Sequence, residues 1–159
     1  MRYALNLLPV NKRKRVSRQD CSFKGDYRQD VDDGILYEVQ ILNEEIQIPT
    51  VASCEGHLPY SSAYILGHIS DKKQSIFKKY MKASQFIPIK NGNSITEFLF
   101  EEVDYRLYIS IDGYYSRGFG DGFILGVNSR VENVSQKDWD KIRKTGFQKA
   151  IYIIKKAFS

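Results

Sequence analysis

This sequence predicts an α/β domain of the α+β type, a mixed and largely antiparallel sheet with about three helices packed on it. Three observations lead there. Short segments rich in β-branched residues and bounded by turn residues recur at 46–54, 62–69, 95–103, 105–111 and 123–127. Apolar stripes of helical period follow Asp30, Ser70 and Ser135. The chain has 159 residues, 42% hydrophobic and 13% aromatic, which suits one ordered domain with its own core.

Residues 1–10 fit a short first strand. Residues 11–29, with the run Lys12-Arg13-Lys14-Arg15, read as a basic loop or mobile arm within a single domain spanning 1–159. Asp30 is placed to cap a helix with Val31, Ile35, Val39 and Leu42 on its buried side, and Asp32 and Asp33 fall in its first turn, where the helix dipole favours them. The segment 46–54 is a strand, and Pro49 suggests an edge. A second strand covers 62–69. Ser70 caps the next helix, whose expected core face is Ile76, Phe77, Tyr80 and Met81. Asn91-Gly92-Asn93 makes a turn, 95–103 and 105–111 a hairpin, and 123–127 a short strand. Ser135 caps a long final helix with Asp138 in the capping-box position, and Trp139, Ile142, Gly146, Phe147, Ala150, Ile151, Ile154 and Phe158 form its stripe. That stripe marks the helix as a core element.

The net charge of +5 is unevenly distributed. Residues 1–28 carry eight Lys and Arg against two Asp, residues 29–134 nine against fifteen acids, and residues 135–159 seven against two. Basic ends around an acidic middle suit either a polyanion-binding face or plain solubilising surface. No apolar run reaches the roughly 20 residues needed to span a bilayer. The basic run follows the apolar start, the reverse of a signal peptide. The expectation is a cytoplasmic protein with no membrane partner and reduced cysteines.

The densest chemistry is Ser53-Cys54-Glu55-Gly56-His57, which joins a hydroxyl, a thiol, a carboxylate, a flexible backbone point and an imidazole at a strand end. In a ligand site, Gly56 admits a ligand to the backbone, Ser53 donates, His57 pairs with an anion and Glu55 accepts from a base or amine. Covalent catalysis by Cys54 with His57 would also need an oxyanion hole and an orienting group, and the sequence identifies neither. Cys54 and His57 with Cys21 and His68 make a set of two sulfurs and two nitrogens. The paired Cys-Cys and His-His spacings of structural zinc sites are absent, so no metal is expected. The segment 114–123 is a second candidate. Gly118, Gly120 and Gly122 bare the backbone, Arg117 supplies charge, and Tyr114, Tyr115, Phe119 and Phe123 supply stacking surfaces for a nucleobase. If the sheet brings both loops to one edge, Arg117 and His57 share an anionic ligand.

Residues 23–66 resemble the N-terminal half of the wybutosine-synthesis methyltransferase family. There a Lys-Gly and an Asp precede a helix ending in Asn, followed by a Thr-Thr-Ser-Ser-Cys-Ser-Gly-Arg strand motif. Lys24-Gly25, Asp30, Asn43, Thr50, Ser53, Cys54 and Gly56 match it, while Glu55 and His57 replace a Ser and the Arg. The resemblance implies methylation of a modified tRNA guanine with S-adenosylmethionine as cofactor. The stretch is also similar to short uncharacterised bacterial and phage proteins bearing the same five-residue motif. Read from its residues, the chain is a small binding protein for a nucleotide-like or phosphate-bearing ligand, of the kind a phage or bacterium uses to regulate or sequester. A methyltransferase of a modified RNA base and a protein-interaction module are the alternatives. An RNA partner and self-association stay open, and no cofactor is specified by the residues alone.

Overall fold

The computed structural model describes residues 31–82, 86–91, 94–111 and 122–159. The expected first strand and basic arm, Cys21, Asp30 and the Tyr114–Asp121 segment with Tyr115, Arg117, Gly118, Phe119 and Gly120 lie outside these residues.

The architecture is α+β. The first helical stretch tightens and loosens along its length: a 3-10 turn at Asp33–Ile35, an α-helix α1 at Leu36–Gln40, and a π-helical end at Ile41–Ile46. Strands β1 (Thr50–Cys54) and β2 (Ser62–His68) follow, then helix α2 (Asp71–Lys82). Strands β3 (Ile87–Asn91), β4 (Ser94–Glu101), β5 (Tyr105–Ser110) and β6 (Gly122–Ser129) precede the final helix α3 (Gln136–Ala157). The six strands form one sheet in the order β1-β2-β6-β5-β4-β3, and every pairing is antiparallel.

Both sheet edges carry a proline signal. β1, just after Pro49, is one edge, and β3, which contains Pro88, is the other. β3 has no counterpart among the strands expected from sequence. Pro88 lacks an N–H and Lys90 breaks the apolar run, features that suit an edge strand. Ile87 is accordingly exposed.

Strand alternation puts Ala63, Ile65, Leu107, Ile109, Leu125 and Val127 into one buried cluster with Val31 just before the first helical stretch, Ile35, Val39 and Leu42 within it, Phe77 and Met81 of α2, and Trp139, Phe147 and Ile154 of α3. Ile76 is the exception to the expected α2 face, at 39% exposure. Phe77 and Met81 are a full turn apart and carry the contact, so Ile76 falls to the flank. Ser70 and Ser135 cap as their sequence positions suggest, Ser70 Oγ accepting from Lys73 N at 3.3 Å and Ser135 Oγ from Asp138 N at 3.1 Å.

Helix α3 approaches the sheet most closely at Gly146. A Cβ added there would lie 2.6 Å from Val127 Cγ1 and 3.4 Å from the Tyr105 ring. Gly146→Ala should therefore destabilise by about 1–3 kcal/mol despite the better helix propensity of alanine. Urea unfolding checks this, and a gain in stability would show that the helix–sheet spacing adapts.

A buried polar clamp joins the first helical stretch to β1. Asn43 Nδ2 donates to Val39 O at 2.7 Å and to Thr50 Oγ1 at 2.9 Å, while Thr50 N donates to Asn43 Oδ1 at 2.9 Å. Lys73 Nζ, its pKa lowered by burial, donates to the carbonyl of Gln47 at 2.8 Å and holds the intervening turn. These contacts fix where β1 starts and hence where its far end delivers Cys54.

Candidate functional site

The turn after β1 is organised around Glu55, and all three of its polar groups are engaged by residues distant in sequence. Its amide donates to Asp32 Oδ2 at 3.1 Å, its carboxylate Oε2 accepts from Gly34 N at 2.8 Å, and its carbonyl accepts from Trp139 Nε1 at 3.2 Å and Arg143 Nη1 at 3.3 Å. Glu55 thus braces the turn, with one carboxylate oxygen held by a backbone donor.

Gly56 has φ +82°, and a Cβ there would sit 2.7 Å from Ser62 O and 2.9 Å from Trp139 Cζ2. Only glycine adopts this conformation with so little room. Its role is to let the backbone cross the Trp139 ring, and it is buried rather than open to a ligand. Ser53 also turns inward. It is 1% exposed, and its Oγ has no hydrogen-bond partner among the described residues. Adjacent strand residues face opposite ways, so Ser53 cannot join Cys54 on one surface.

His57 and Cys54 do reach the surface. The His57 side chain is 67% exposed, with Nε2 3.8 Å from Asp32 Oδ2, and Cys54 is half-buried with a free thiol. One donor atom each from Asp32, Cys54 and His57 lie within 4.8 Å of one another. Sequence reasoning placed Asp32 in a helix first turn. The structure puts it at the N-cap position with no capping bond of its own, because its carboxylate faces the Glu55 amide and His57. His68 pairs with Gly122 at the other end of β2 from Tyr64, the partner of Cys54, so it does not join this group.

Behind the turn lies a buried charge network. The Arg143 side chain is only 7% exposed. It meets Asp140 at 3.0 Å and lies over the Trp139 ring with its guanidinium carbon 5.7 Å from the centroid. Arg143 sits one turn after Trp139 in the apolar stripe, and that spacing is the only sequence signal of its burial. The Glu38 carboxyl is also buried. Loss of water pushes its pKa up, opposed by its own backbone hydrogen bond and by the positive charges of Arg143 and Lys144.

The second expected loop is anchored elsewhere. β5 leaves toward residues 112–121 after Ser110, which pairs with Ile124, and β6 enters at Gly122, opposite His68. Cys54 pairs with Tyr64, which pairs with Gly126. Both anchors of the loop therefore lie at the sheet end opposite the turn, away from His57. A separate groove of about 290 Å³ between the strand ends and α3 is lined by Asp104, Tyr105, Val131, Lys141 and Ile142. No helix among the described residues is long and apolar enough to cross a membrane. No family pattern, no curated protein and no solved structure matches the chain.

Proposed function

We propose that the protein is a small binding protein whose ligand, nucleotide-like or phosphate-bearing, is taken at the Cys54–His57 turn. The observation that carries this reading is the bracing of Glu55. Four hydrogen bonds to two separate segments, residues 32–34 and α3, fix a turn that presents an exposed imidazole. A solvent-facing loop of purely structural purpose does not need a buried arginine and a tryptophan behind it. Fixing a contact residue through supporting hydrogen bonds is what a binding site requires. The imidazole can donate to a phosphate oxygen.

Calorimetric titration with nucleoside mono-, di- and triphosphates, inorganic phosphate and S-adenosylmethionine tests the proposal. Saturable binding of a phosphate-bearing compound is expected. His57→Ala should weaken it by about 1.5–3 kcal/mol, roughly ten- to a hundred-fold. Binding of S-adenosylmethionine alone would favour the methyltransferase alternative. No binding by any of them, with no nucleotide carried through purification, would overturn the reading.

A further inference from the structure

We propose that Asp32, Cys54 and His57 form a binding site for a divalent transition metal of the zinc class, with a coordination position left open to solvent. The site draws on the same turn as the ligand reading but does not depend on it, since the metal needs no nucleotide.

The donor set selects the metal. A thiolate, an imidazole nitrogen and a carboxylate oxygen are the three side-chain types that bind zinc, whereas magnesium and calcium favour oxygen shells without sulfur. The carboxylate and the thiolate together offset the charge of a divalent ion, and the thiol proton leaves to solvent on binding. Arg143 does not counter this, because its charge faces Asp140 at 3.0 Å.

The geometry is convergent. Bond lengths of about 2.0–2.3 Å imply donor atoms about 3.3–3.8 Å apart in a tetrahedron. His57 Nε2 and Asp32 Oδ2 are already 3.8 Å apart, and the three donors lie within 4.8 Å of one another. Side-chain rotation of the exposed His57 and the half-buried Cys54 is the movement that would bring the three donors to bonding distance.

The supporting shell is in place. Two ligands sit on the Cys-x-x-His turn fixed by the Glu55 hydrogen bonds, and the third, Asp32, is held by the Glu55 amide. Outer hydrogen bonds of this kind orient metal ligands. Among the described residues no fourth His, Cys, Asp or Glu joins the group, and His57 is exposed. With three ligands among the described residues and His57 exposed, the site faces solvent on the His57 side, unlike the closed four-ligand zinc site that the Cys and His spacing argues against.

Cobalt(II) titration of metal-free protein, in a non-chelating reductant and without nucleotide, tests the assignment. One equivalent should give thiolate-to-cobalt charge-transfer absorption that zinc abolishes. Cys54→Ser should remove the band. His57→Ala and Asp32→Asn should each weaken zinc at least ten-fold against a chromophoric chelator, while His68→Ala leaves it unchanged. Circular dichroism confirms that each variant is folded. Should Asp32→Asn unfold, the exposed His57 still gives the reading. No charge-transfer band in the wild type, a band that survives in Cys54→Ser, or zinc affinity indifferent to His57 would overturn the site. Cobalt binding without phosphate-ligand binding supports the metal and sinks only the ligand reading. Nucleotide binding without the cobalt band does the reverse.

Discussion

Trp139→Ala should cost about 3–5 kcal/mol of folding stability. The indole is fully buried where α3 meets the sheet, so its removal leaves a cavity the size of a bicyclic ring. The same change removes the Nε1 donor to the Glu55 carbonyl and the surface over which Gly56 crosses. Trp139→Phe separates the two effects. It keeps much of the packing and loses the hydrogen bond, and the carbonyl retains Arg143 as a donor, so about 1 kcal/mol is expected beyond the change in volume. Because Trp139 is the only tryptophan, far-UV circular dichroism during urea unfolding is the suitable probe. A loss below 1 kcal/mol for the alanine variant would mean that α3 is not integral to the core.

Arg143→Ala should destabilise by a similar amount, about 3–5 kcal/mol, because it removes one member of a buried charge network and takes from Glu38 the larger of its two compensating positive charges. The dependence on pH carries the specific signature. Burial already raises the Glu38 pKa, so the folded state holds that proton more tightly than the unfolded chain. Its contribution is fully present below the unfolded value and is lost as pH rises through the raised folded value. Removing Arg143 takes away a lowering influence and pushes the folded value higher still. The variant should therefore lose stability with rising pH more steeply than the wild type. Glu38→Gln should flatten that slope in both backgrounds and recover part of the Arg143→Ala loss. Equal slopes for wild type and Arg143→Ala would show that the two groups do not interact.

The helices and most strands were legible because their signals are local. The four-residue repeat of Val31, Ile35, Val39 and the stripe from Trp139 to Ile154 are helical periods visible in the chain, and all these residues are buried. β3 carries a weak signal because an edge strand with one partner need not alternate, and its proline and lysine interrupt the apolar pattern. At the site, the five-residue motif was legible as a place, but the roles within it were not. Whether Ser53 turns inward depends on strand phase. Whether Glu55 meets a ligand or the protein depends on Gly34, Trp139 and Arg143, none of them its neighbour in sequence. Asp32 carried an ordinary explanation as a first-turn acid, and its pairing with Cys54 and His57 appears only once the first helical stretch is laid beside β1.

The bracing of Glu55 also bears on when the turn exists at all. Its four hydrogen bonds span 21, 23, 84 and 88 residues of chain. None of them can form from a local segment, and those to Trp139 and Arg143 require α3 to be docked. Closing such long loops is slow, which places the turn among the last parts of the molecule to assemble. The same linkage works in the opening direction. The amides of Gly34 and Glu55 are donors in the network, and releasing them requires separating the first helical stretch from a turn that α3 holds through the Glu55 carbonyl. Their hydrogen exchange with solvent should therefore follow global unfolding, although they sit beneath one of the most exposed side chains of the surface.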